Sequence, residues 1–253
     1  MADLVHPSFV QPPDPNVRLW RYMDLSKFVA LLQTKALAFP RSDTLGDPFE
    51  GSAPAQNAVA RDEAFRVRKE TPEADPYKDI PDDILGKIFE QWSHLRKSAV
   101  KATFVSCWHM NESESAAMWR IYSKSSDAVC IQTTYAKLAK ELPDDVPMGV
   151  VHYIDYKTAG VSEGNMFNPF LIKRLSFSHE REARAITLDG SIFDGADVPV
   201  IKQFPVSLDA LIERIYVSPE APDWFADVVA GLVKAYGLDK PVSHSELSAT
   251  PFF

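Results

Sequence analysis

The chain has 253 residues, 45% hydrophobic and 11% aromatic, enough for one large core or two small ones. Its formal charge of −8 argues against general coating of nucleic acid, which needs clustered lysine and arginine to displace counterions. Two cysteines without CxxC spacing suggest neither a disulfide framework nor a Cys-rich zinc site, and no apolar run approaches the roughly 18 to 20 residues of a membrane span. The N-terminus lacks the basic-then-apolar pattern of a secretion signal, so a cytoplasmic protein is expected.

Four prolines among the first 17 residues remove backbone donors, so residues 1–17 are expected to form an extended arm outside the core. Residues 18–253 then make a single α+β domain. "RLWRY" reads as a strand. "DLSKFVALLQTKALAF" carries helical spacing at Leu25, Phe28, Val29, Leu31, Leu32 and Leu37 with Asp24 or Ser26 as cap, and its end, "ALAFP", reads as a strand stopped by Pro40. "RSDTLGDPFEGS" is a loop rich in acids, of the kind that often holds ligands. Residues 57–102 alternate charged and apolar positions over two helices and form a helical insertion. "TFVSCWHM", "AVCIQTTY", "MGVVHYIDY" and "EREARAITL" have strand character. "ESAAMWRIYSK" and "AKLAKEL" read as helices, "MFNPFLIKRLSF" as a helix or irregular link, and "APDWFADVVAGLVKAYGL" as an amphipathic C-terminal helix. The pattern predicts a mixed, mostly antiparallel central sheet with flanking helices.

Three groups of residues carry candidate chemistry. In "FVSCWHMNESESAAMWRIYS", Asn111 and Glu114 have capping-box spacing, and Met118, Ile121 and Tyr122 are spaced as one apolar helix face beside Trp119. Alternation along the preceding strand puts Ser106, Trp108 and Met110 on one side, and Val105, Cys107 and His109 on the other, so Cys107 and His109 are expected to pack together. In "SFSHEREARAI", a strand over residues 179–187 would align Glu180, Glu182 and Arg184 on one face. Two neighbouring carboxylates raise the proton affinity of one member and a nearby arginine lowers it, which is how a site sets a general base or a cation stabiliser. The alternative is a solvated ladder of glutamate and arginine on an edge strand.

A metal site assembled from His109, His152 and His179 with Asp43, Asp47 or Glu50 has no local spacing in its favour, because HExxH and an EF-hand pattern are absent. No metal is expected. A Walker A sequence and GxGxxG are also absent. The basic clusters at Arg61, Arg66, Arg68 and Lys69, and at Arg96, Lys97 and Lys101, read as solvated helix faces, with nucleic-acid contact a second reading.

"LWRYMDLSKFVALLQTKALAF", "LGDPFEGS", "FVSCWHMNESESAAMWRIYS", "VHYIDY" and "IKRLSFSHEREAR" together resemble a bacterial family, domain of unknown function 2971, over about residues 18–245. The element order is more weakly similar to the ADP-ribosyltransferase fold, with "LWRY", "FVSCW" and "HEREAR" in the places of its three motifs. That resemblance implies NAD as substrate and ADP-ribose transferred to water or to an unknown protein or nucleic-acid acceptor. It implies that Arg21 holds the ribose or phosphate side of NAD and that Ser106 supports the first motif. Trp108, Trp119 or Tyr122 would stack on nicotinamide, and Arg184 would belong to the same cofactor site. Glu182 would stabilise the developing oxocarbenium charge while Glu180 orients the acceptor. The competing expectations are a non-catalytic module that binds a nucleotide or a protein, and a Mg²⁺-dependent hydrolase or nuclease built on Asp47, Glu50, Glu180 and Glu182.

Overall fold

The segment "RLWRYMD" is apolar on both sides of its alternation, which suits a strand covered on both faces. In the computed structural model, which describes residues 1–71, 73, 77–122, 126–162 and 164–251, it becomes β1 (Arg18–Asp24) at the centre of a seven-stranded sheet. Asp24 ends the strand and caps α1 (Leu25–Thr34) by accepting from the Lys27 backbone N–H, and β2 (Ala36–Pro40) follows. Two helices, α2 (Ala55–Glu70) and α3 (Asp82–Ala102), lead into β3 (Thr103–Met110) and α4 (Ala116–Tyr122). Next come β4 (Ala128–Thr134), α5 (Tyr135–Glu141), β5 (Met148–Val150), β6 (His152–Ile154), β7 (Ile172–Arg174) and β8 (Glu182–Leu188). The chain closes with β9 (Ile201–Pro205), α6 (Leu208–Leu211), β10 (Arg214–Val217), α7 (Asp223–Ala235) and β11 (Val242–His244).

The large sheet has the order β11-β10-β4-β1-β3-β8-β5, antiparallel throughout except for β10 and β11. β2 and β9 form a separate antiparallel ribbon, and β6 and β7 a short parallel pair. The architecture is α+β, with a mostly antiparallel sheet and flanking helices. No helix among the described residues is long and apolar enough to cross a membrane.

Alternation divides the sheet's two faces. One carries Leu19, Met23, Trp108, Ile131, Ala183 and Ile215 into the main core, closed by α1, α5, α6, α7 and β2. The other carries two smaller apolar clusters, one under α4 around Trp20, Tyr22 and Cys130, and one around Val105, Ile186 and Phe170. On this face β8 also carries Glu182 and Arg184, opposite His109 and Cys107 of β3, and these charges position the candidate site.

Three local expectations are corrected. The arm does not lie outside the core: Ala2 and Phe9 are buried, and the arm runs along β5, where the Val150 N–H donates to the Val10 carbonyl at 2.9 Å. An otherwise open sheet edge is thereby covered. Asn111 and Glu114 do not form the capping box. Ser115 caps α4, its Oγ accepting from the Met118 N–H, while Glu114 accepts from Trp119 Nε1 and the Glu246 N–H. The buried face of α4 is Met118 and Trp119, with Ile121 and Tyr122 turned outward. The predicted extension of this helix over residues 123–124 lies outside the described residues.

The arm's anchoring has a testable cost. Gly149 lies against it, and a Cβ there would stand 2.9 Å from both Phe9 Cβ and the Val10 carbonyl oxygen. Phe9→Ala is expected to lower stability by about 3 kcal/mol or more, read as a lower urea midpoint with native circular dichroism retained. An unchanged midpoint would show that the arm contributes no packing energy.

Candidate functional site

The site begins with one misreading of secondary structure. Residues 175–180 do not extend β8: they form a 3-10 turn, and Arg181 takes a left-handed conformation at φ 40° before the strand starts at Glu182. Glu180 and Glu182 meet all the same. The turn folds Glu180 back, and Lys173 Nζ on β7 donates to Glu180 Oε2 and, at 2.7 Å, to Glu182 Oε1. Arg184 lies two residues along the same face, completely buried, its Nε 2.5 Å from Glu182 Oε2.

The acid-rich loop supplies the other half. Glu50 receives both terminal nitrogens of Arg184, at 2.5 and 3.0 Å, and the Phe170 carbonyl accepts from Arg184 Nη1 at 2.6 Å. Gly51 permits this approach, since it adopts φ 70° and a Cβ there would come within 2.4 Å of the Phe170 ring. Asp47 binds Arg174 at 2.8 Å, and the Arg174 guanidinium lies over the rings of Phe49 and Phe177. The loop expected to hold a ligand is thus clamped onto the protein's own arginines. Among the described residues, no group of three or more His, Cys, Asp or Glu side chains could hold a metal ion.

Three carboxylates face two cations in this cluster, so its protons are divided unequally. Burial and the hydrogen-bonded carboxyl of Glu182 push Glu180 up to about 7, against the opposing pull of Lys173. Burial would raise Glu182 too, but Arg184, the hydrogen bond with Glu180 and Lys173 outweigh it and hold that carboxyl well below the usual range. Glu182 is the ionised member and Glu180 the proton-holding one. His109 stands opposite Glu182 in the strand register, and its Nδ1 lies 2.7 Å from the Glu180 carbonyl. A carbonyl only accepts, so Nδ1 carries the proton; burial lowers the ring's proton affinity and leaves Nε2 unpartnered.

The Glu182 N–H donates to Tyr153 Oη at 2.8 Å. Tyr122 is half-exposed as a residue, but its phenol is raised by burial first and then by Glu180, Cys107 and Glu182 beside it. Burial likewise raises the Cys107 thiol, which disfavours the thiolate. A cavity of about 380 Å³ opens at this end of the sheet, bordered by Met110, Asn111, Tyr153, Ser178, Arg181 and Glu182.

The remaining sequence-derived candidates do not join this site. Arg21, Ser106 and Trp108 lie on the opposite face of the sheet: Trp20, not Arg21, stands opposite His109, and Trp108 stands opposite Ala183. Arg21 donates to Ser106 Oγ at 3.2 Å and to the Ala38 carbonyl at 2.9 Å, with Trp108 beside it. The expectation that Arg21 and Glu182 border one cleft is overturned by the two-residue period of the strands. Trp119 is buried against Tyr22 and offers no exposed stacking face. Lys173, Arg181 and Tyr153 are the members that sequence reasoning missed, and Glu50, expected only as a candidate metal ligand, is instead the bidentate partner of Arg184. The signal for Glu50 was its place in an acidic loop with two glycines.

No family model matches the sequence, so the likeness to domain of unknown function 2971 has no such match behind it, and no curated protein matches either. Among solved structures, the fold is similar to Thermus sp. 2.9 DarT in complex with ADP-ribosylated ssDNA. Identity is 9% and the TM-score 0.43, over 94% of this chain and 98% of that one. A second structure of that protein, in complex with carba-NAD+, gives a TM-score of 0.40 at 9% identity over 93% and 98%.

Two outcomes test the cluster. Glu50→Ala leaves Arg184 buried without its bidentate partner and is expected to cost about 3 to 5 kcal/mol, measured by chemical denaturation. The Glu180 carboxyl, raised from an ordinary value of 4.5 to about 7, contributes stability that is fully present below pH 4.5 and lost as the pH rises through 7. Glu180→Gln, which mimics the protonated form, is therefore expected to flatten the decline of stability across that window. A wild-type decline unchanged in the variant would place its origin elsewhere.

Proposed function

We propose that the protein is an NAD-cleaving, ADP-ribosyltransferase-like enzyme whose reaction is centred on Glu182 and Glu180. The observation that supports this reading is the side-by-side pair of carboxyls with opposite proton affinities, one of them at the wall of a cavity. Cleaving the bond between nicotinamide and ribose develops positive charge on the sugar, and an ionised carboxylate fixed before the reaction stabilises that charge without reorganisation. Lys173 and Arg184 keep Glu182 ionised and hold both of its oxygens in place. Glu180, with an affinity near neutrality, accepts the proton of the attacking hydroxyl or water.

Arg181 takes the part first assigned to Arg21. It borders the cavity, is exposed, and its left-handed backbone turns it aside from the strand, where its Nη1 donates to Asn111 Oδ1 at 3.1 Å. A guanidinium in that place suits the diphosphate of NAD. The acceptor would be water, a protein or a nucleic acid. One observation favours a second reading, a nucleotide-holding module without turnover: both Glu182 oxygens are already engaged by cations.

Incubation with NAD separates the two. Nicotinamide release is expected from the wild type and is expected to fall by roughly 100-fold or more in Glu182→Gln, with the fold intact by circular dichroism. Arg181→Ala is expected to act chiefly on KM. The rate should rise with pH through about 7 as Glu180 loses its proton. Calorimetric binding of NAD without nicotinamide release would favour the module, and an unchanged rate in Glu182→Gln would overturn the assignment.

A further inference from the structure

Helix α7 buries Phe225, Val229 and Val233, spaced four residues apart, against the core. Its outward face is not the polar surface that such a pattern ordinarily leaves. Trp224 is 63% exposed and Val228 43%, and the exposed Gly231 and Ala235 continue the same line seven and eleven residues after Trp224. At roughly 100° per residue, these four positions fall within about 60° of one another and form one straight apolar stripe along the helix.

Gly231 is the informative member. Inside a helix a glycine is destabilising relative to alanine, and no neighbour here demands it, since a Cβ at Gly231 would meet nothing within 4 Å. The missing side chain is of use only where another backbone approaches closely. The charges say which backbone that is. Asp227 and Lys234 are exposed on the same flank of the stripe, two turns apart, and among the described residues neither side chain has an ion pair. When a second α7 lies antiparallel across a two-fold axis, Asp227 of each copy faces Lys234 of the other, so both charges are answered twice. The midpoint of that pairing falls between Ala230 and Gly231. Register chosen by charge thus puts the closest approach where the side chains are smallest.

We propose that the outward face of α7 is a dimer interface whose occupant is a second copy of this chain. The two helices pack antiparallel with Gly231 at the centre, Trp224 at each end and two Asp227–Lys234 ion pairs along one flank. The apolar stripe supplies the affinity, and the ion pairs fix the register. One helix pair is smaller than a standard interface of about 1,600 Å², so the equilibrium is expected near micromolar concentrations. This inference stands apart from the reading given to Glu182: α7 packs on β10, and β4, β1 and β3 separate β10 from β8.

Sedimentation equilibrium of the full chain tests it. A monomer–dimer equilibrium is expected at up to about 100 μM, a range that populates a dimer of micromolar Kd. Gly231→Leu adds a side chain that meets nothing in the single chain and favours the helix, so it is expected to keep Tm while abolishing the dimer. Asp227→Lys and Lys234→Asp each set like charges against one another in both pairings, and each alone is expected to weaken association roughly tenfold. Mixed together, these two variants restore both pairings and are expected to associate with each other as the wild type does with itself. A wild type that remains monomeric, a mass beyond two chains, a dimer retained in Gly231→Leu, or two charge variants that fail to associate on mixing overturns the proposal. None of these readouts involves NAD or nicotinamide.

Discussion

A guanidinium with no solvent exposure is the constraint around which one side of this molecule is arranged. Arg184 needs anions within reach wherever the chain can supply them, because an unpaired buried charge would cost more than most single contacts return. Glu50 arrives from the loop after β2, Glu182 from the same strand, and the Phe170 carbonyl from the segment before β7. Two stretches distant in sequence are fastened to one strand by one side chain. The loop's two special features, a left-handed Gly51 and the pairing of Asp47 with Arg174, follow from the approach this requires.

The same arrangement creates the chemical asymmetry. With Glu50 and one side of Glu182 committed to Arg184, Lys173 is left to bridge Glu182 and Glu180, and its single charge cannot ionise both in a buried place. The proton remains on the carboxyl farther from Arg184. A structural ion pair thus holds one carboxyl well below the usual range and raises its neighbour to about 7.

The sheet acts as a partition. One face supports the charged part of β8 and two small apolar clusters, and the other supports the main core, where Arg21 is hydrogen-bonded to Ser106 and Ala38. Side chains a single residue apart along β1 or β3 belong to different environments, so sequence proximity says little about which groups share a site.

Much of the outline was legible from local pattern. Strand β3 was readable to its ends, α1 was recognisable with Asp24 as one of two expected caps, and α2 and α3 fall where two helices were expected across residues 57–102. These features follow from hydrophobic period and capping, which act over a few residues. The pairing of Glu180 with Glu182 was also foreseen, although through a strand where the chain makes a 3-10 turn. Tertiary structure alone decided the rest. Lys173 carries no local mark of its role, the acidic loop did not reveal that Glu50 would pair with Arg184, and Arg21 was separated from Glu182 by the register of β1 on β3. Composition and periodicity determine which segments become helix or strand, because those are near-neighbour energies. Which charges face one another depends on the order and register of strands remote in sequence, and only the folded sheet fixes those.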